Sequence, residues 1–250
     1  MDYTSKQVDK VALVTGAARR IGAAIAIALH AKGFRVAIHC RFSVPDAKPL
    51  AESLNKIRPD SARVFQADLS ADGIGRELIA SVAAWGGALD LLVNNASVFI
   101  KNDCTEFRPQ DWQDSFKLNV QVPFELSIAA RPLLARNKGS IINITDIHAE
   151  TPLKSYAVYC QTKAALLMQT KALAKEFAPD IRVNAVAPGA IAWPEKDNEL
   201  NAAARQKIIE KTPLHCHGDP AFIAQAVLAL TENPFVTGQV LRVDGGRSIG

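Results

Sequence analysis

Between Ser140 and Ala165 the chain reads S-I-I-N-I-T-D-I-H-A-E-T-P-L-K-S-Y-A-V-Y-C-Q-T-K-A-A. Within it Tyr159 and Lys163 stand four residues apart, a spacing that puts two side chains on one helix face. A free phenol titrates near pH ~10 and is a reluctant acid or base at neutrality. An ammonium beside it favours the phenolate and lowers that value, which makes the tyrosine a usable acid–base group. Most Y-x-x-x-K pairs are ordinary helix surface. The chemistry therefore depends on what the rest of the chain supplies.

The apolar run Ile141 to Ile144 predicts a buried strand ending near Thr145, followed by a loop with Pro152 and a helix from Tyr156 to Phe177. At the other end of the chain, V-A-L-V-T (Val11 to Thr15) predicts a short strand. It runs straight into G-A-A-R-R-I-G and a helix that Gly33 stops after Lys32. Strand, glycine turn and helix make a phosphate-binding entry, because free amides at the helix start meet an anion. Gly16 allows the tight turn and Gly22 the close packing of helix on strand, while Arg20 stands at the middle glycine of the usual pattern.

The second strand, Phe34 to Cys40, ends without the acid that would hold an adenosine ribose hydroxyl. Arg41 stands there, and Arg19 and Arg20 lie in the glycine loop. Arginine forks suit a 2′-phosphate, so the loop reads as choosing NADPH, with three solvated arginines as the plain alternative. Pro45 to Ile57 reads as a helix. The third strand follows and ends at Asp68-Leu69, where Asp68 is placed either to cap the adenine or to cap a helix. A helix from Ile74 to Trp85 leads to the fourth strand, Asp90 to Val93, which runs into N-N-A-S-V-F. Asparagines at a buried strand end must be hydrogen-bonded, so Asn94 and Asn95 are structural, cofactor-facing or both. Phe99 either stacks on a flat ligand or fills a hydrophobic rim.

Pro109 to Asn137 reads as one long helix containing Asn119 and Pro123, and Ile181 to Ala187 as the sixth strand, closing with P-G-A. Residues 190–201 form a polar, proline-bearing loop, the natural place for a substrate lid, with Trp193 as a further aromatic wall. Helices near Ala202 to Lys211 and Asp219 to Glu232 precede a last strand, Gln239 to Val243. This alternation implies an α/β fold: one Rossmann-like domain over residues 1–250, a doubly wound parallel sheet flanked by helices. His215-Cys216-His217 lacks a fourth ligand and reads as a loop entering a helix, not as a metal centre. His39 reads as packed or hydrogen-bonded, and His148 receives no role.

At 250 residues and 48% apolar, the chain can bury a full core. A net charge of +4 with no run of five basic residues suits an anionic small cofactor better than nucleic acid. No segment has the length of a membrane span, the amino terminus lacks a signal-peptide core, and Cys40, Cys104, Cys160 and Cys216 show no paired spacing. These features give the expectation of a cytoplasmic protein with reduced thiols.

Taken together, T-G-A-A-R-R-I-G, Asp68-Leu69, N-N-A at Asn94 to Ala96, Asn119, Tyr159 with Lys163, Pro188-Gly189 and V-D-G-G resemble the short-chain dehydrogenase/reductase family across nearly the whole chain. Within it the chain resembles the pteridine reductases, through Arg20, N-A-S-x-F with Phe99, and Asp146 where the family's catalytic serine normally stands. Thr145 is one position off, and a one-residue shift in a strand points a side chain to the opposite face, so it does not replace that serine.

The resemblance implies that Asp146, Tyr159 and Lys163 act in proton delivery, that Lys163 also binds the nicotinamide ribose, and that Asn119 supports the lysine through water. It implies a cofactor set of Gly16, Arg19, Arg20, Ile21, Arg41, Asp68, Leu69, Asn95, Ala96, Ser97, Asn119, Tyr159, Lys163, Pro188 and Gly189. Ser97 and Phe99 would line a pterin site, with the pterin between Phe99 and the nicotinamide, and Trp193 beside it. It also implies a homotetramer built on the two long helices. The expected activity is NADPH-dependent reduction of pterins, including dihydrofolate. A carbonyl reductase of 3-oxoacyl type and a non-catalytic NADPH-binding regulator are the other readings.

Overall fold

Short runs of β-branched and aliphatic residues alternate along the chain with amphipathic helical stretches, and each run becomes a strand. The computed structural model describes residues 10–102, 104–193 and 199–249. The seven strands are β1 (Val11–Val14), β2 (Arg35–Cys40), β3 (Ala62–Gln66), β4 (Leu91–Asn94), β5 (Ser140–Ile144), β6 (Arg182–Pro188) and β7 (Val240–Val243). They form one sheet in the order β3-β2-β1-β4-β5-β6-β7, with every neighbouring pair parallel. Between them run α1 (Arg20–Ala31), α2 (Val44–Ile57), α3 (Ile74–Gly86), α4 (Pro109–Phe116), α5 (Val122–Arg136), α6 (Ala157–Phe177), α7 (Ala202–Glu210) and α8 (Pro220–Glu232).

Successive strand residues point to opposite faces, so each strand feeds two cores. Ala12 and Val14 pack with α1, α2 and α8 on one face, while Val11 and Leu13 pack with α3, α5 and α6 on the other. The same division holds in β5, where Ile142 and Ile144 join the first core and Ile141 the second. The chain winds outward from β1 to β3, then crosses back to place β4 against β1. At that reversal a crevice opens beyond the carboxyl ends of the strands, where ligands of such sheets bind. The glycine turn and the segments after β4, β5 and β6 all end there.

The stretch expected as one uniform helix is divided. A π-helical turn at Lys117–Gln121 separates α4 from α5, with Val122 N–H donating to Lys117 O and Asn119 inside the turn. Pro123 lacks the N–H that would bond to the Asn119 carbonyl, so the regular ladder cannot run through this point. The expectation of one long helix thus needs adjusting: it carries a π turn, and its Asn119 sits in that turn, 1% exposed. The lid expected over residues 190–201 falls partly on 194–198, which lie outside the described residues. No described helix is long and apolar enough to cross a membrane.

Buried polar side chains tie the two middle strands to α6. Asn94 Nδ2 donates to Asn143 Oδ1 at 2.9 Å, Asn143 Nδ2 donates to Thr170 Oγ1 at 2.9 Å, and the Thr170 hydroxyl donates to Leu166 O. Removing the middle of this chain leaves a buried amide and a hydroxyl short of partners, each worth about 1–3 kcal/mol. Asn143→Ala is therefore expected to lower the unfolding free energy by at least about 2 kcal/mol. Urea denaturation checks this, as a lower midpoint at unchanged slope.

Candidate active site

Asp146 is the second residue beyond β5. Its backbone is extended, and Oδ1 accepts from His148 N–H at 2.8 Å, which caps the short 3-10 turn Ile147–Ala149. That bond fixes the carboxylate and leaves Oδ2 to accept from the Tyr159 hydroxyl at 2.7 Å. Thr145 faces the other way, as the register requires: it is 2% exposed and donates to Val186 O at 3.0 Å. Lys163 lies one helical turn beyond Tyr159 and is 3% exposed; its ammonium donates to Ile144 O at 3.0 Å and stands 5.6 Å from the Tyr159 ring centroid.

Burial decides the electrostatics. It pushes the Lys163 ammonium down to about 8, against the pull of Asp146, so at neutrality the lysine is still mostly charged. The phenol moves opposite to the sequence expectation. Burial first, then the Asp146 charge and its hydrogen bond, raise Tyr159 well above the ordinary phenol value. The lysine was expected to lower it, but here the nearest charged partner is an anion that accepts the phenolic proton. The resting site thus holds a protonated tyrosine on a fixed carboxylate.

Asn119 faces this group indirectly. Its Oδ1 accepts from Val98 N–H, and its Nδ2 donates to Val98 O and to Thr162 Oγ1. It clamps the segment after β4 to Thr162, the residue preceding Lys163. Phe99 lies with its ring stacked on Tyr156 at 4.2 Å and 9°, and edge-on to Tyr159 at 4.7 Å. One face of Phe99 is therefore taken by Tyr156, a residue the sequence reading missed; the Y-x-x-Y spacing was its only local sign. Ser97 is exposed on the same segment.

The glycine turn is held from both sides. Thr15 Oγ1 accepts from Asn95 N–H and Ala96 N–H, and Asn95 Nδ2 donates to Thr15 O and Gly16 O. Asn95 and Ala96 thus act as braces of the turn, and Thr15 is a second residue that spacing alone did not reveal. Gly16 takes φ +63°, and a Cβ on Gly22 would lie 2.3 Å from Gly16 O, so both positions require glycine. No side chain caps the start of α1 and its first turn carries no acid. Such an uncapped helix start behind a glycine turn fits an anion.

The arginines divide. Arg41 pairs with Asp68 at 2.7 Å at the ends of β2 and β3 and lies over the Phe42 ring. Asp68 also accepts from Ser70 N–H and its hydroxyl, and these Ser70 bonds hold its carboxyl below the ordinary value. Arg19 lies 3.8 Å from Asp46. Arg20 departs from the expected place at the 2′-phosphate: at φ +54° its guanidinium donates to Ala192 O and Trp193 O, both at 2.9 Å. Trp193 in turn packs on His217 at 4.2 Å and under Arg205, not against Phe99. Ile21 is half-buried at the start of α1, and Leu69 is 3% exposed within the core, so its side chain is withheld from the crevice. Pro188 ends β6, and Gly189 packs so tightly on Asp244 that a Cβ would meet it at 2.6 Å.

A doubly wound parallel sheet with an anion-fitting glycine turn, and a Tyr–Lys pair at its carboxyl edge, defines a dinucleotide-dependent oxidoreductase. The family described as enoyl-(acyl carrier protein) reductase matches residues 16–248. A Streptomyces violaceoruber protein named as a granaticin polyketide ketoacyl reductase is 37% identical, over 94% of this chain and 95% of its own. The 3-oxoacyl-[acyl-carrier-protein] reductase FabG of Staphylococcus epidermidis is 34% identical, over 96% and 99%. Among solved structures, FolM alternative dihydrofolate reductase 1 from Brucella canis, complexed with NADP, superposes with a TM-score of 0.90 at 33% identity, covering 97% of this chain and 95% of that one. The chain belongs to the short-chain dehydrogenase/reductase family.

The Asp146–Tyr159 bond carries a direct prediction. In an ultraviolet titration, Tyr159 is expected to ionise last of the three tyrosines, and Tyr159→Phe removes that step. Asp146→Asn, by deleting the neighbouring charge, brings the Tyr159 step to lower pH. An unmoved step would show that burial alone sets it.

Proposed function

We propose that the chain is an NADPH-dependent pteridine reductase, a single reductase domain acting on dihydropterins and dihydrofolate. The carrying observation is Asp146, fixed by His148 N–H and holding the Tyr159 hydroxyl at the strand end where the family's serine normally stands. The likeness to a dihydrofolate reductase in complex with NADP supports the same reading.

Gly16, Gly22 and the uncapped start of α1 fit a pyrophosphate, and Arg41, Arg19 and Asp68 stand at the adenosine end. Ile21, Asn95, Ala96, Ser97, Pro188 and Gly189 border the rest of the dinucleotide, and Leu69 offers only its main chain. When bound, NADPH supplies a hydride to carbon, and reduction of a C=N bond then leaves nitrogen needing a proton. Tyr159 holds that proton. The pterin's amino and ring N–H groups offer donors for Asp146, and a carboxylate turned to them loosens its hold on the phenol, so the proton can pass to nitrogen. Lys163, charged at neutrality and buried beneath the ring, then stabilises the phenolate and binds the nicotinamide ribose. Phe99, backed by Tyr156, provides the flat wall. Exposed Phe124, Ile128 and Met168 on α5 and α6 support a homotetramer built on these helices.

The 3-oxoacyl reading is favoured by the names of the two sequence relatives above, but Asp146 opposes it. An anionic carboxylate is a poor neighbour for the alkoxide that develops on a ketone. Asp146→Ser therefore separates the two. It is expected to lower kcat for a dihydropterin by ~10²-fold or more, as for a positioned acid–base group, while ketone reduction holds or improves. Full dihydropterin activity in that variant, or turnover by the wild type of 3-oxoacyl substrates alone, would favour the carbonyl reductase.

Cofactor choice is the second test. One charge-assisted contact supplies ~1.5–3 kcal/mol, so kcat/KM is expected to favour NADPH over NADH by at least about tenfold. Arg41→Ala should erase most of that ratio while leaving NADH turnover unchanged. Equal kcat/KM with the two cofactors in the wild type contradicts the assignment.

A further inference from the structure

We propose that His39 is a positioning residue of the dinucleotide site: a neutral imidazole strap that fastens the glycine turn to the end of β3 and releases it on protonation. The inference rests on the NADPH reading above. His39 lies on β2 and is 3% exposed. Its Nδ1 accepts from Gly16 N–H at 3.2 Å, and its Nε2 lies 3.1 Å from Ala67 O. A carbonyl can only accept and an amide N–H can only donate, so these partners dictate the Nε2–H tautomer. The main chain adds a second fastening, Ala17 N–H to His39 O at 2.8 Å.

The strap is placed at the cofactor's two anionic ends. Gly16 opens the turn that fits the pyrophosphate, and Ala67 precedes Asp68, which holds Arg41. With Asn95 bonded to the carbonyl side of the same turn, His39 fixes the amide side. A proton on Nδ1 would set a donor against the Gly16 donor in a site that is 3% exposed. The turn must then move, and its amides leave the position that meets phosphate.

The charged group acting on the ring is Asp68 beyond β3, itself paired with Arg41 at the end of β2; Arg19 and Asp46 pair with each other along the turn and α2. Cys40, next in sequence, is a thiol pushed up by burial. Burial lowers the His39 value, and the Ala67 bond and the Asp68 charge only partly oppose it. The folded site therefore keeps the neutral ring at neutrality and protonates it only below the ordinary imidazole range.

The test compares wild type with His39→Asn, whose Oδ1 takes the place of Nδ1 but cannot titrate, and with His39→Leu, which keeps neither bond. NADPH dissociation constants are measured by fluorescence from about pH 5 to about pH 8, a range in which the ligand's phosphate also titrates. That contribution is common to both proteins and cancels in their ratio. His39→Asn, which keeps the bond to Gly16 but is too short to keep that to Ala67, is expected to bind between wild type and His39→Leu at neutrality. The wild type loses affinity relative to it as pH falls, while His39→Leu binds about fivefold or more weaker than wild type at neutrality, the value of one hydrogen bond. Nitrogen NMR of the ligand-free protein should show the Nε2–H tautomer, with Gly16 amide protection lost as the ring protonates. A pH-independent ratio, or a ring protonated at Nδ1 at neutrality, overturns the proposal. Because the NMR arm needs no ligand, it decides the strap even where NADPH binding fails and the proposed function falls.

Discussion

The site depends on burying one ammonium. Lys163 is enclosed at the carboxyl edge of the sheet, where among the described residues the strand-end carbonyl Ile144 O is its hydrogen-bond partner. Desolvation would discharge it, and what opposes that is the Asp146 carboxylate on the other side of the phenol. The phenol is then pulled two ways: the carboxylate keeps its proton, and the lysine awaits its loss. In the proposed reaction a ligand that engages Asp146 tips the balance toward release, which couples proton transfer to occupancy of the site.

Rigid supports are needed for groups tuned this finely, and nearly all of them are side chains bonding to backbone. Thr15 and Asn95 lock the glycine turn to the end of β4. Asn119 locks Val98 to α6 through Thr162, from a π turn that proline imposes on its helix. The extra residue in that turn shifts the register of the helix locally, which is how π turns re-aim a side chain at functional sites. The glycine turn, the segment carrying Phe99 and the helix carrying Tyr159 and Lys163 thereby share one bonded frame.

Much of this was legible in the sequence. The strands and helices lie within a residue or two of their expected bounds, because alternation, helical period, Gly33 and the prolines are local signals. Asp146 and Tyr159 were also legible as a pair, since strand register excluded Thr145. What escaped was tertiary. The direction of the Tyr159 shift depends on which charge lies nearer and on full burial, and neither is encoded in a four-residue spacing. Arg20 reaches carbonyls 172 residues away, and Phe99 finds Tyr156 across the site. His39 could be read as packed or hydrogen-bonded, but which turn it fastens depends on the pairing of β2 with β1.

Likeness over the whole chain cannot by itself choose between a ketone and a pterin. The sheet, the glycine turn and the Tyr–Lys pair serve any hydride transfer from a dinucleotide, so relatives of either chemistry share them and score alike. Discrimination rests on the few atoms that meet the group being reduced. At the strand end a hydroxyl can donate to a forming alkoxide, whereas a carboxylate can only accept, and a pterin brings the donors for it to accept. Beside it, a flat ring backed by a second flat ring suits a planar bicycle and gives little to a flexible acyl chain. Asp146 and the Phe99–Tyr156 pair differ in chemistry and lie on separate segments, yet in the proposed function both favour the same kind of ligand.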